Sequence, residues 1–280
     1  MNRGEARRFV HGRLKANGIH RAALEADLLC SEAFGCSRES LLTHPEESVA
    51  PVQAKRLFSL LEARILRKPL AYIRGKASFW GMDLEVGEGC LVPRPETEIL
   101  VETALEFFGG GRFLDWGTGS GCVALALLSA RPASQGLMLE KSPAALAWAW
   151  RNLRRTSFQD RALLWHGCSL ESIPSSWVPL DLIVGNPPYI PTSEMAGLMP
   201  DVRLYEPHQA LDGGPDGLDD VKAILAGANR LLVSGGTVLL EIGGARQVEI
   251  LRSTPAERLE LVRVEKDLSG KERIVVWRHR

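Results

Sequence analysis

Two consecutive prolines stand directly behind a short apolar run in this chain: Asp181-Leu182-Ile183-Val184 leads through Gly185 and Asn186 into Pro187-Pro188-Tyr189. The run reads as a buried parallel strand. Neither proline can donate to a ladder or continue a helix, so the strand must stop there, and the backbone just past its carboxyl end is stiffened. Open α/β sheets take their ligands at that end. Asn186 offers an amide oxygen and an NH2 group, the proline carbonyls remain acceptors, and Tyr189 adds a flat face for stacking. Such a site suits a planar group carrying an NH2, either an amide or an exocyclic amine. Pro-Pro alone would mark an ordinary strand-ending turn. Asn-Pro-Pro-Tyr after an apolar strand, downstream of a glycine-rich loop, is a more specific pattern.

That upstream loop is Phe113-Leu114-Asp115-Trp116-Gly117-Thr118-Gly119-Ser120-Gly121, a strand and turn followed by an alanine- and leucine-rich helix. The glycines let the backbone approach a ligand closely. Their spacing is not the dinucleotide fingerprint, and the lysine of a phosphate-binding loop is missing. Asp115, at the strand end, either stabilises the turn or takes a ligand's ammonium or ribose hydroxyl. A second strand, Gly136–Glu140, ends in an acid about twenty residues past the glycines, where this kind of fold binds ribose hydroxyls. A helix over 143–153, a third strand over 162–165 and the fourth strand with its Asn-Pro-Pro-Tyr turn follow. The segment 190–217 reads as a long irregular lid or binding loop. Its acids, with those just after it, form an expected acidic rim: Glu194, Asp201, Glu206, Asp212, Asp216, Asp219 and Asp220. A helix over 218–232, a fifth strand over 237–243 and two antiparallel strands, 259–265 and 273–277, complete an α/β order.

The first seventy or so residues read instead as a small helical bundle, with Leu24, Leu28 and Leu29, then Leu57, Leu60, Leu61 and Ile65, at helical spacing. Alternation around Gly81 predicts a hairpin between the two regions, and Thr97 is placed to cap an apolar helix over 99–107. The expected divisions are 1–72 for the helical domain, 73–95 for the hairpin linker and 96–280 for the α/β domain. Lys+Arg and Asp+Glu both number 34, so bulk charge predicts no general affinity for nucleic acid or anionic membranes. No leader and no membrane-spanning run is read from the residues. The cysteines, Cys30, Cys36, Cys90, Cys122 and Cys168, form no Cys-x-x-Cys pair, so free thiols in a reducing cytoplasm are expected, and no metal site.

Taken together, the acid-Trp-Gly-Thr-Gly-Ser-Gly loop, the second-strand acid and Asn-Pro-Pro-Tyr resemble an S-adenosylmethionine-dependent class I methyltransferase acting on an amino or amide nitrogen. Leu91-Val92-Pro93-Arg94-Pro95-Glu96-Thr97-Glu98, Tyr205-Glu206-Pro207 with Gly213-Gly214-Pro215-Asp216-Gly217-Leu218, and Leu240-Glu241-Ile242-Gly243 narrow this. With them the chain resembles the PrmC/HemK family, which methylates the side-chain amide nitrogen of the glutamine in the Gly-Gly-Gln loop of peptide chain release factors. The resemblance is strongest from Pro69 onward. It implies a Rossmann-like seven-stranded sheet with an N-terminal helical substrate-recognition bundle, and S-adenosylmethionine as cofactor. It assigns Asp115, Gly117, Thr118, Gly119, Ser120, Gly121, Glu140, Cys168, Ser169 and Asn186 to the cofactor. Asn186, Pro187, Pro188 and Tyr189 carry the methyl-acceptor site, with Arg94, Glu96 and Thr97 beside the substrate. Gly167-Cys168-Ser169-Leu170 departs from relatives, which tend to carry an acid and a bulky apolar residue near the adenine. The expected partner is a release factor, met by a cytoplasmic monomer with no direct nucleic-acid or membrane contact. Two rival acceptors fit the same turn: a ribosomal-protein glutamine, and the adenine N6 of DNA, which would need a basic groove for a flipped base.

Overall fold

The seven strands expected from Phe113 onward assemble into one sheet in a computed structural model that describes residues Met1–Arg280. In chain order the strands are β1 (Lys76–Phe79), β2 (Met82–Glu85), β3 (Arg112–Trp116), β4 (Gln135–Glu140), β5 (Ala162–His166), β6 (Leu180–Gly185), β7 (Leu232–Glu241), β8 (Leu259–Lys266) and β9 (Glu272–His279). The large sheet has the order β5-β4-β3-β6-β7-β9-β8. Strands β3 to β7 pair parallel; β9 runs antiparallel to both β7 and β8. The chain winds from β3 outward through β4 to β5, then returns to place β6 on the other side of β3. The order therefore reverses between β3 and β6, and a ligand crevice opens outside the carboxyl ends of strands at such a switch point. Those two ends carry the glycine-rich loop and the Asn-Pro-Pro-Tyr turn.

Alternation along each strand sends neighbouring side chains to opposite faces. Leu114, Leu139, Ile183, Val238 and Leu240 pack on one side with the helix Asp219–Ala228. Phe113, Met138, Leu182, Val184 and Leu239 pack on the other with the helices Thr97–Phe107, Cys122–Ala130 and Pro143–Arg154. Both faces are thus covered, which is why β6 reads as an unbroken apolar run. The class I methyltransferase fold read from the sequence is the fold observed.

The chain divides into two compact units, Met1–Gly75 with Met199–Tyr205, and Lys76–Leu198 with Glu206–Arg280. The first is helical: Arg3–Ala16, Ala22–Phe34, Arg38–Thr43, Pro51–Ile65 and Leu70–Arg74. Asn2 and Glu5 form a reciprocal capping box at its first helix. Val10, Leu14, Leu29, Leu57 and Leu61 fill its core. Arg64, only 5% exposed, bonds Glu25 at 2.5 Å and Asp201 at 2.7 Å, so its buried charge is neutralised within the unit. The β1–β2 hairpin turns at Trp80-Gly81, as the alternation predicts, and clusters with the second unit. There Asn152 receives the Glu85 N–H and donates to the Glu85 and Ser120 carbonyls, tying the hairpin to the glycine-rich loop.

Several boundaries differ from expectation. The helix predicted to run to Leu232 ends at Ala228, because Leu232 already belongs to β7, whose register shifts opposite β6 before Thr237. Helix Ala245–Ser253 gives no clear local signal, because the Gly243-Gly244 pair masks its start. The segment 190–217 is less irregular than expected, with helical turns at Thr192–Gly197, Pro200–Tyr205 and His208–Ala210.

Candidate active site

The first residue past β3 must turn sharply to enter helix Cys122–Ala130. Gly117, Gly119 and Gly121 make that turn with φ of 66°, 57° and 86°, values that residues with a Cβ avoid. Asp115 holds the turn: its Oδ2 accepts the Thr118 hydroxyl at 2.5 Å and the Ala124 amide at 3.2 Å. It is 1% exposed, and burial pushes its carboxyl up to about 7 against those two hydrogen bonds. Of the two roles open to Asp115 in the sequence, the turn-stabilising one is the one its Oδ2 performs.

Glu140 ends β4 beside the same loop. Its Oε2 accepts the Gly119 N–H at 2.9 Å and its Oε1 the Ser142 N–H at 2.8 Å. Each carboxylate oxygen can take a second donor, so the group is rigid yet keeps acceptor capacity. Glu140 lines a cavity whose other walls include Gly117, Gly119, Trp116, Asn186 and Pro188. Beyond its immediate chain neighbours, nothing lies within 4 Å of where a Cβ on Gly117 would stand. The glycine edge therefore leaves room for a ligand to meet bare backbone, next to a carboxylate pair of oxygens of the kind that binds vicinal hydroxyls. This donor and acceptor set fits a nucleoside with a charged amino-acid tail.

Asn186 sits at the carboxyl end of β6 on the wall of this cavity. Its Nδ2 donates to Thr97 Oγ1 at 3.1 Å, and the Thr97 hydroxyl donates to Glu241 Oε2 at 2.8 Å. The Oδ1 end takes no hydrogen bond from the chain. Thr97 is 2% exposed and lies inside the first turn of its helix, with Glu96 at the N-cap position, so it does not cap that helix as expected. Its hydroxyl is committed to Glu241. Glu241, 1% exposed, is held up to about 7 by burial, against the Thr97 hydrogen bond, the nearby Arg273 charge and the Tyr189 hydroxyl.

Not every predicted residue reaches the cavity. Thr118, Ser120, Gly119, Cys168, Arg94 and Thr97 line it; Pro187, Tyr189, Glu96, Ser169 and Gly121 do not. Tyr189 turns its hydroxyl to Glu241 and lines a separate depression with Gln247 and Arg273. Glu96 is exposed. The Ser169 carbonyl accepts the Ser172 hydroxyl in a tight turn. The Gly121 position is filled from behind by the Met138 methyl. Arg94 bonds Glu206 at 2.7 Å, and Glu206 also accepts the Val92 N–H. That pair fastens the 91–94 stretch to the segment carrying Pro207, Gln209 and Ala210, which close one side of the cavity. Part of the acidic rim is engaged within the chain: Glu206 serves Arg94, Asp212 accepts from Thr192 and Gly214, and Asp216 pairs with Lys222, whereas Glu194 and Asp219 are exposed.

Sequence reasoning missed Glu241 and Gln247 as site residues. Gln247 donates to the Tyr189, Asp216 and Gly217 carbonyls and accepts the Gly243 N–H at 2.6 Å. A Cβ on Gly213 would meet the Pro188 carbonyl oxygen, and one on Gly217 that of Tyr189. The Gly-Gly-Pro-Asp-Gly stretch is thus the backbone bed on which the Pro-Pro-Tyr turn rests, with Gln247 as its bolt.

Residues 5–75 match the model of the PrmC N-terminal domain and residues 95–199 that of the methyltransferase small domain. Among curated proteins, the release factor glutamine methyltransferase of Cereibacter sphaeroides is 42% identical over 98% of this chain and 98% of its own length. That of Rhodospirillum rubrum is 38% identical over 96% of this chain and 82% of its own. A methyltransferase structure from Pyrococcus furiosus aligns with TM-score 0.53 at 17% identity, over 81% of this chain and 96% of that one, a likeness of fold. The matched models cover the helical region and strands β3 to β6 with the Asn-Pro-Pro-Tyr turn, and the relatives run the length of the chain. It belongs to the release factor glutamine methyltransferase family.

Proposed function

We propose that this chain transfers a methyl group from S-adenosylmethionine to the side-chain amide nitrogen of the glutamine in the Gly-Gly-Gln loop of peptide chain release factors. The observation that carries the reading is the Asn186 amide. It stands on the cavity wall with its NH2 end tied to Thr97 and its oxygen unclaimed, beside the glycine edge and Glu140. The full-length likeness to release factor glutamine methyltransferases supplies the acceptor.

When bound, S-adenosylmethionine supplies an electrophilic sulfonium methyl. Glu140 would hold the ribose hydroxyls and the Gly117–Gly121 turn the amino-acid tail, with Gly167 and Cys168 toward the base. An amide nitrogen is a poor nucleophile because its lone pair is delocalised into the carbonyl. Asn186 Oδ1 accepts one N–H bond of the glutamine amide, which aims the nitrogen and favours its pyramidalisation; the Pro187 carbonyl expected to accept the other does not line the cavity. Proximity and fixed dipoles carry the rate; the nitrogen sheds one proton to solvent after methyl transfer, when it is far more acidic, so no strong base is needed. Tyr189, whose carbonyl Gln247 holds, does not line the cavity, so the stacking role expected of its ring is not the one it plays here. The helical unit, which exposes Phe9 and Phe58 in an edge-to-face pair, recognises the protein substrate. The chain acts as a cytoplasmic monomer without nucleic acid; zero net charge supports the last point. No helix is long and apolar enough to cross a membrane.

Tandem mass spectrometry of a release factor incubated with the protein and cofactor tests the reading. One added methyl on the loop glutamine is expected. Methyl on a ribosomal-protein glutamine, with none on the release factor, would redirect it.

A further inference from the structure

An asparagine amide has two ends of nearly the same shape, and only its hydrogen-bond partners decide which end faces the cavity. Oxygen outward accepts a substrate N–H; NH2 outward meets it donor to donor. Asn186 is therefore as good an acceptor as the group that fixes its flip. That group is not Thr97 alone, since a hydroxyl can donate or accept. It accepts from Asn186 at 3.1 Å only because its single proton is given to Glu241 at 2.8 Å.

We propose that Glu241 is a positioning residue for methyl transfer: its carboxylate, acting through the Thr97 hydroxyl, keeps the Asn186 amide oxygen turned to the acceptor. The inference rests on the glutamine-methyltransferase reading and adds to it a control over when the acceptor site is correctly polarised. Ionised Glu241 is acceptor-only, so Thr97 must donate to it and present a lone pair to Asn186. Protonated Glu241 can donate to Thr97 instead. The Thr97 proton then points at Asn186, and the favoured amide flip reverses. The surroundings set the balance between the two forms. Helix Thr97–Phe107 brings Thr97 and, at its N-cap, Glu96; the acceptor turn brings the Tyr189 hydroxyl; β9 brings Arg273, itself paired with Asp267 at 2.9 Å; and Cys122 approaches from the helix after the glycine loop. Burial and Glu96 oppose the charge, whereas Thr97, Arg273 and Tyr189 favour it, so the group titrates at about 7. The relay is ordered above that pH and reverses below it.

The test uses the full chain as Glu241→Gln, Thr97→Val and Thr97→Ser. Glu241→Gln and Thr97→Val should each lower kcat on release factor by roughly 10²-fold, the scale of one lost preorganised hydrogen bond. Cofactor affinity by calorimetry should stay within about threefold. Thr97→Ser, which keeps the hydroxyl, should recover most of what Thr97→Val loses. A second readout needs no substrate: the side-chain amide cross-peaks of Asn186 in a nitrogen–proton spectrum, identified by their loss in Asn186→Ala. In the wild type they should shift with an apparent pKa of about 7, and in Glu241→Gln that titration should vanish. A wild type that methylates release factor while both variants keep its kcat and pH profile overturns the relay and leaves the function standing. Unmethylated release factor with the Asn186 titration present overturns the function and leaves the relay standing.

Discussion

At the scale of single residues, the site separates side chains that touch a ligand from those that hold them. Glu140 does both, since its two oxygens receive Gly119 and Ser142 and still have capacity for ribose. Glu140→Ala should weaken cofactor binding by about 1–3 kcal/mol, the worth of a charged hydrogen bond; unchanged affinity by calorimetry would remove it from the cofactor site. Asp115 and Glu241 make a different kind of prediction. Burial raises both to about 7, so between the ordinary carboxylate range and about pH 7 the folded protein holds more protons than the unfolded chain. Stability contributed by these groups is present in full at low pH and is lost as pH rises toward 7, at about 1.4 kcal/mol per pH unit for each group in that window. Urea melts of the wild type and Asp115→Asn at about pH 5 and about pH 8 should show a smaller decline in the variant; equal declines would contradict the assignment.

At the scale of elements, the strand ends place the chemistry and the loops between them hold it. Gln247, on a helix with no clear signal in the sequence, carries the hydrogen bonds that fix the Pro-Pro-Tyr turn. Gln247→Ala leaves the Tyr189 and Gly217 carbonyls unpaired, and should cost about 1–3 kcal/mol in thermal or urea melts while lowering turnover. Gly185 is another such point. Its Cβ would stand 2.7 Å from the Trp116 carbonyl oxygen in the neighbouring strand, so Gly185→Ala should destabilise by about 1–3 kcal/mol through overpacking. Local signals make the strands, the glycine turn, Glu140 and Asn186 legible in the sequence, because apolar runs, prolines and strand-end acids announce themselves over a few residues. The relay is not legible there, because its members meet only through the fold: 89 positions separate Asn186 from Thr97, and 144 separate Thr97 from Glu241. The capping expectation for Thr97 fails for the same reason. A threonine ahead of an apolar helix is a good capping signal locally, and its buried partner on β7 is invisible at that range. The acidic rim holds only in part: Glu206 is buried against Arg94, whereas Glu194 and Asp219 are exposed and Asp220 lines the cavity.

At the scale of the whole molecule, a helical unit and a methyltransferase unit divide recognition from chemistry in the proposed function. Phe9 and Phe58 are 45% and 43% exposed, although each is a large apolar side chain that burial would favour. If that surface meets the release factor, Phe9→Ser with Phe58→Ser should raise KM for the protein substrate by roughly 5- to 150-fold, on the order of 1–3 kcal/mol for two interface aromatics. Cofactor affinity and turnover of a short glutamine peptide should be spared; equal loss on peptide and protein would place the defect elsewhere.

In the proposed function the Asn186 site methylates a protein glutamine and not a nucleobase. Both acceptors present a planar NH2, so the decisive measurement offers both at once: methyl-labelled S-adenosylmethionine, a release factor and single- or double-stranded DNA in one tube, with the wild type and with Asn186→Ala. Label should enter the release factor only. It should vanish when the loop glutamine is replaced by alanine, and fall to background with Asn186→Ala. Label in the DNA, or undiminished label on the release factor with Asn186→Ala, would contradict the account.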